Sequence, residues 1–414
     1  MSRLSKISIG LWLWLALGVY TNQAAADLAL GGYIKQFSLA LAPPALGSTV
    51  PPWEGTASHR LRLEIDWDHA LWRAELAYDW TPRIQPAGAQ ANGFFLPRPA
   101  PLTYRVVDLD THLYPANGSP QGTFSLGHNL DRALLIFSPA WGDIYLGRQA
   151  VAFGAARTIN PTDVIAPFAY ASLDKEERIG VDALRARLPL GDLSELDGGI
   201  ILGDGLALDQ SAAFLRLRLY GWQTDWVPTL VLFKENLLVG FDLARPLGGA
   251  GWWLESAYTW SNVLKKEAPD DTYLRLSTGF DYSFTPRLYG ALEYHFSGAG
   301  AAAPEAYPSR LRHPAYTAGA AYLLGRHYLA PALVFQATPL LSFSGQLLLN
   351  TADSSLLLAP RLDYSFAQDV FLEAGAFWGR GQAHRLDPVG LTLQTGSEFG
   401  LYPDSLFAAV RLYF

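Results

Sequence analysis

The chain has 414 residues, half of them hydrophobic and 13% aromatic, with no cysteine and a formal net charge of −7. The missing cysteines exclude disulfide frameworks, thiolate metal sites and c-type haem attachment, and the acidic balance argues against wholesale nucleic-acid binding. Beyond Ala26 no uncharged apolar run approaches the ~20 residues of a membrane-spanning helix, so the apolar surface must be carried by alternation, and the spanning structure that alternation allows is a closed barrel.

Taken in chain order, Arg3 and Lys6 precede an apolar stretch from Ile7 to Tyr20, and Ala24-Ala25-Ala26 supplies a small-x-small cleavage pattern. Residues 1–26 therefore read as a signal peptide and 27–414 as the exported barrel. Losing Arg3 and Lys6 takes the formal charge from −7 to about −9. Strand-like sequence starts at Leu28, which leaves no room in residues 27–414 for a long globular plug ahead of the barrel.

The clearest hairpin runs from Arg60 to Trp67 and returns from Trp72 to Trp80. Its apolar residues keep one parity and its charges the other, the signature of a strand pair with one apolar and one polar face. A symmetric turn over Asp68 to Leu71 would set Asp66 opposite Arg73, Arg60 opposite Asp79 and Glu64 opposite Glu75. Trp67 and Trp72 at the strand ends fit an aromatic girdle at a membrane interface.

Further strands are expected at 28–41, 129–138, 144–151, 180–189, 196–203, 213–220, 225–234, 237–245, 252–260, 273–284, 288–296, 328–337, 340–350, 356–366, 370–378 and 406–414. Together they predict an all-β, antiparallel up-and-down transmembrane barrel of roughly 18 strands, within a range of about 16 to 20. Short turns alternate with Pro-, Gly- and Ala-rich connections at 43–57, 81–128, 151–178, 297–326 and 380–404, the asymmetry expected of periplasmic turns and extracellular loops. Residues 81–128 and 391–404 have room for a further hairpin, and Tyr316 to Leu324 is open to a loop helix.

Leu406, Ala408, Val410, Leu412 and Phe414 share one face of the last strand. This resembles the C-terminal assembly signal of outer-membrane proteins, with Leu412 and Phe414 as its residues, and the resemblance implies the barrel-assembly machinery as a partner. A second resemblance covers Asp143 to Gln149 with its Gly147-Arg148-Gln149 end, the pair Phe153-Gly154, the run Asn160-Pro161-Thr162-Asp163 and the turn-like Asp174 to Gly180. It is similar to a poorly characterised group of porin-like outer-membrane barrels, and it implies a porin-like protein without naming a substrate.

Arg148 stands at a strand end, and Arg157 and Asp163 follow in a connection of some 28 residues, long for a structureless loop. One reading folds this segment into the lumen, with the three residues at a constriction. The other makes Asn160 to Asp163 a capped turn, with Arg148 pairing to a neighbour. Arg185, Arg187, Arg216 and Arg218 are assigned to the lumen, because lipid-facing arginine at mid-depth costs ~2–4 kcal/mol. They would form a basic ladder, with Gly198, Gly199 and Gly203 leaving it room. Asp242, Glu255, Asp281, Glu293, Asp363 and Glu373 supply lumenal acid. Opposed signs can orient polar solutes, and paired charges can equally serve only to stiffen the wall.

The eight histidines show no H-E-x-x-H and no regular ligand spacing, Ser125, His128 and Asn129 lack a nucleophile setting, and no P-loop or dinucleotide fingerprint is present. No enzyme activity, metal or cofactor is expected. The function predicted is a passive channel for small polar solutes or ions in the outer membrane, in contact with its lipid and with no nucleic acid. The alternative is an assembly, export or surface-polysaccharide-anchoring barrel. The sequence leaves the solute and the oligomeric state, a homo-oligomer included, open.

Overall fold

Strand propensity and alternation act over nearly the whole chain. In the computed structural model, which describes residues 27–42, 53–86, 104–108, 112–116, 122–167, 173–174, 176–265, 271–383, 385–386, 393–394 and 396–414, they give a single closed barrel. The proposed signal peptide, residues 1–26, lies outside the described residues.

The eighteen wall strands are β1 (Asp27–Ala42), β2 (Glu54–His69), β3 (Trp72–Ile84), β4 (Phe124–Phe137), β5 (Asp143–Gln149), β6 (Val181–Pro189), β7 (Glu195–Leu202), β8 (Ala212–Gly221) and β9 (Thr224–Phe233). The second half comprises β10 (Asn236–Leu247), β11 (Ala250–Ser261), β12 (Asp271–Thr285), β13 (Leu288–Ser297), β14 (His327–Thr338), β15 (Leu341–Asn350), β16 (Ser355–Ala367), β17 (Val370–Arg380) and β18 (Asp404–Tyr413). Each pairs antiparallel with its sequence neighbours, and β18 returns to β1 with Tyr413 opposite Tyr33 and Asp404 opposite Ala42. Closure gives every strand two neighbours, so no row of backbone N–H and C=O groups faces lipid unpaired.

Alternation decides the faces. Leu63, Ile65, Leu146, Leu184, Ile200, Leu215, Leu230, Phe280, Leu292 and Leu333 are exposed on the outer wall, whereas Arg62, Asp79, Asp131, Asp242, Glu255 and Glu293 are buried inside. The first hairpin turns one residue later than a symmetric turn over Asp68 to Leu71 would place it, which shifts the cross-strand register by two. The turn is Ala70-Leu71, Ala70 has φ +54°, and the facing pairs are Asp68 with Arg73, Arg62 with Asp79 and Asp66 with Glu75. A two-residue turn with positive φ matches strand twist, and that local preference overrides the charge pairing used to guess the register. Arg60 still reaches Asp79, diagonally, at 2.8 Å.

The connections at 81–128 and 391–404 add no wall strand among the described residues. His112–Tyr114 forms a short strand on β4, and Arg385–Leu386 pairs with Leu393–Gln394 apart from the barrel. Of Tyr316 to Leu324, only Tyr316 and Thr317 are helical, in the short helix Pro314–Thr317.

Candidate functional site

The site is built on the segment that follows β5. Arg148, next to last in that strand, is 5% exposed. Its guanidinium donates to the Asp182 carboxylate at 2.7 and 3.0 Å and to the carbonyls of Leu130 (3.0 Å) and Val107 (2.9 Å). All these partners sit at the root of the segment, so Arg148 anchors the segment where it leaves the wall and does not present its charge to solvent.

From that root the chain crosses the barrel. Phe153 packs on Phe214 of β8, with ring centres 5.0 Å apart. The backbone then bends through Gly154, at φ +105°, and exposes a series of N–H groups to two wall carboxylates. Glu255 of β11 accepts from the N–H groups of Ala155 and Ala156 at 2.9 Å and from the N–H (2.7 Å) and hydroxyl (2.8 Å) of Thr162. Glu293 of β13 accepts from the N–H groups of Arg157 (2.8 Å), Thr158 (3.2 Å) and Ile159 (3.0 Å), and from the indole of Trp253 at 3.1 Å. Charge-assisted hydrogen bonds of this kind are short and about twice as strong as neutral ones. Ser277 of β12 donates to the Ile159 carbonyl at 2.7 Å, Arg275 donates to the Pro161 carbonyl, and Gln346 of β15 donates to the Thr158 hydroxyl at 3.1 Å. A segment rooted on β5 and bonded to β11, β12, β13 and β15 spans the lumen.

The same geometry explains two pieces of the sequence pattern. A Cβ on Gly154 would lie 2.5 Å from Asn160 Oδ1 and 2.7 Å from Glu255 Oε2, so the aromatic-Gly pair and the Asn-Pro-Thr-Asp run are one unit closed around Glu255. Asp163 is buried against Arg178 at 2.7 Å; burial pushes its carboxyl up to about 6, and the guanidinium opposes that rise. Like Arg148 it holds the segment and does not line a passage.

The space left beside the segment is off centre, and charged side chains face it from a partly apolar wall. A cavity of about 280 Å³ lies between Arg157 and the wall, lined among others by Trp253, Tyr289, Gln346, Arg361 and Glu373. A second of about 710 Å³ shares Leu173, Arg361 and Glu373 with the first and continues past Asp363, Arg411 and Tyr413 to the end of the barrel that carries the short turns. The Arg157 side chain is 62% exposed, 3.5 Å from Asp281, with its guanidinium 5.3 Å from the Trp253 ring centre. Arg361 and Arg411 each reach both Asp363 and Glu373, at 2.9–3.3 Å. Other lumenal charges are taken up in buried pairs. Lys35 is fully buried between Asp174 (3.0 Å) and Glu176 (2.8 Å), and Arg62 is buried against Asp131 at 2.8 Å.

The expected basic ladder is neutralised by its neighbours. Arg185 pairs with Asp197 at 2.7 Å, Arg187 with Glu195 at 2.6 Å and Arg216 with Asp242 at 3.7 Å, while Arg218 is exposed and stands opposite Glu195. These strands carry acid on the same inward parity, and antiparallel register brings it alongside. Gly199 makes room for the Phe214 ring and not for a guanidinium; a Cβ there would meet that ring at 2.9 Å. His128 accepts or donates on the outer face with the Tyr78 hydroxyl, whereas Asn129 bonds Arg105 and Asp79 inside, so strand alternation separates the Ser125–His128–Asn129 group. Among the described residues no group of three His, Cys, Asp or Glu is placed to hold a metal ion. Sequence reading passed over Arg361, Arg411 and Gln346; strict parity with Asp363 and with the outward face of β18 would have placed the two arginines in the lumen.

A closed antiparallel barrel of eighteen strands, crossed by an internal segment that leaves two adjoining cavities along one wall, has the architecture of a porin-like β-barrel. Solved structures agree over nearly the whole chain. OccAB2 of Acinetobacter baumannii matches with a TM-score of 0.58 at 8% identity, covering 94% of this chain and 98% of that one. A BenF-like porin from Pseudomonas fluorescens matches with 0.57 at 9% identity, and OccK2 (OpdF) of Pseudomonas aeruginosa with 0.57 at 11%; in both cases 94% of this chain and 98% of the other are covered. At these identities the likeness is one of fold. No protein-family profile matches the chain, and no curated protein matches it.

Proposed function

We propose that this chain is an outer-membrane channel for the passive diffusion of small polar solutes and ions, exported by cleavage of residues 1–26. One observation carries the reading: the segment spanning the lumen is held by Glu255 and Glu293 so that it narrows the barrel without filling it. A structural anchor has no need of a charged passage running past Arg157, Arg361 and Glu373. Selectivity falls to the groups that face this passage, with Arg157 the most exposed of them. Arg148, Asp163, Arg185, Arg187 and Arg216 hold the frame. Leu412 and Phe414 serve membrane assembly. OpdK, another barrel of this fold, has been solved with vanillate. Arg157 beside the Trp253 ring offers a small aromatic anion a cation and an apolar face, which makes vanillate a first solute to try.

The test is single-channel recording of the refolded protein in a salt gradient. Discrete openings with a non-zero reversal potential support the channel; a barrel that inserts and never conducts overturns it in favour of an assembly or anchoring role.

A further inference from the structure

The connection between β13 and β14, residues 298–326, lies across the barrel above the crossing segment. Ala320 packs in one buried cluster with Val151, Phe153, Phe214 and Leu238, and Leu323 packs in another with Ile159, Leu357, Phe399 and Tyr402. Ala330, Ala359 and Phe377 belong both to that second cluster and to the lining of the 280 Å³ cavity. The connection is thus a lid, seated with the loop before β18 over the end of the passage away from the short turns.

Several contacts seat it. Lys234 donates to the Ala318 carbonyl at 3.2 Å, Arg275 donates to the Ala320 carbonyl, and His313 meets Asp271 at 3.0 Å. A further attachment is Glu398, in the loop before β18. Its carboxylate accepts from the Leu324 N–H of the lid at 2.8 Å, from the Tyr328 hydroxyl at 2.5 Å and from the Asn350 amide at 2.8 Å. Its own N–H donates to Asp353 at 2.7 Å, and Asp353 accepts from Tyr307 of the lid at 2.7 Å. Tyr316 and Tyr322 of the lid and Tyr402 of its own loop complete the surroundings, Arg275 and Arg310 face Tyr316, and Ser355 of β16 bonds the neighbouring Phe399 N–H. Among the described residues no Lys, Arg or His pairs with Glu398. A carboxyl that is 2% exposed, next to a second carboxyl and without a cation, is costly to ionise where it sits.

We propose that Glu398 is a proton-operated latch: with its carboxyl neutral the lid stays seated over the passage, and with the carboxyl ionised the lid lifts and the channel opens. This rests on the channel reading above. Burial pushes the Glu398 carboxyl up to about 7, against the three donors that favour its charged form. In a lifted lid the carboxyl meets water and returns to its ordinary ~4.3. The seated form therefore holds the proton more tightly. Its advantage is complete below the ordinary value, falls as pH rises toward 7 and is gone above it, a change on the order of a hundredfold in the seating equilibrium. His313 acts weakly in the opposite direction: burial, with Arg310 nearby, outweighs its pair with Asp271 and moves its titration below the ordinary histidine range, so its protonation at low pH disfavours seating.

The refolded protein is recorded in planar bilayers between pH 5 and 8. The wild type opens progressively as pH rises. Glu398→Gln, which stays neutral, remains in the low-conductance state throughout; Glu398→Ala, which loses the attachment, remains in the high one; His313→Gln keeps the rise. A nitroxide on Ser309→Cys, unique in a chain with no other cysteine, reads lid mobility without reference to current and gains motion at pH 8 only where Glu398 is present. Wild-type conductance and label mobility that are flat across this range, or a Glu398→Gln protein that still titrates, overturn the latch. Absence of current at every pH, with a label that still responds, overturns the channel reading and leaves the latch standing.

Discussion

The guanidinium of Arg157 lies 5.3 Å from the centre of the Trp253 ring, and the same Trp253 donates its indole N–H to Glu293, the carboxylate that holds the backbone of Arg157 itself. Three residues from two wall strands and the crossing segment thus fix one cation at the edge of the passage. Cation–π contact contributes ~0.5–2 kcal/mol to holding it there. Arg157→Ala is expected to leave folding intact and to shift the reversal potential toward cations. An unchanged reversal potential would remove Arg157 from the selectivity-determining groups.

Glu293 accepts three consecutive N–H groups, so Glu293→Ala strands donors inside the barrel at about 1–3 kcal/mol for each one that water does not reach. Water will enter, because the segment can move into the lumen. Larger and noisier conductance is expected, with the segment 151–167 newly open to protease. Glu293→Gln keeps an acceptor and should fall between that variant and the wild type.

Gly154 is the hinge of the crossing segment. A side chain there meets Asn160 and Glu255 under 3.0 Å in a backbone conformation that side chains rarely adopt. Gly154→Val should reproduce the loosened conductance of a Glu255→Ala variant, and the double variant should add little to either, since both release the same unit. Additive effects, read from conductance histograms, would show that the two act separately.

Arg148 and Arg185 separate framework from selectivity. Removing either leaves a carboxylate without its partner, Asp182 or Asp197, and breaking a buried pair of this kind costs about 3 kcal/mol. Thermal unfolding in detergent should therefore occur at lower temperature for Arg148→Ala and Arg185→Ala, with a smaller change in reversal potential than Arg157→Ala produces. A selectivity change in Arg185→Ala equal to that of Arg157→Ala would restore the basic ladder.

The wall was legible because alternation is a local property. A strand such as Ala212–Gly221 announces both its extent and its inward face through Phe214, Arg216 and Arg218 against Leu215, Leu217 and Leu219. The register of β2 and β3 was not, because turn geometry at Ala70-Leu71 outweighed the pairing of a few charges. The lumenal position of the Arg148–Asp163 segment was one of two readings that its length left open, and nothing local in the sequence distinguishes the roles within it. Arg148, Arg157 and Asp163 look alike in a sequence, and only Arg157 faces the open passage.

By itself the sequence determined the barrel, its faces and the approximate number of its strands, since in a bilayer every backbone group must find a partner in a neighbouring strand and period-two alternation then leaves one side apolar. Tertiary structure alone decided which charges are spent and which are available. Glu255 and Glu293 are far in sequence from the N–H groups they hold, Arg185 is neutralised by Asp197 across a strand boundary, and Glu398 meets Leu324 only because two long connections cover the same end of the barrel. Ion pairs and hydrogen bonds act over a few ångströms, whatever the separation along the chain, so the work of each charge appears only once the barrel has closed around it.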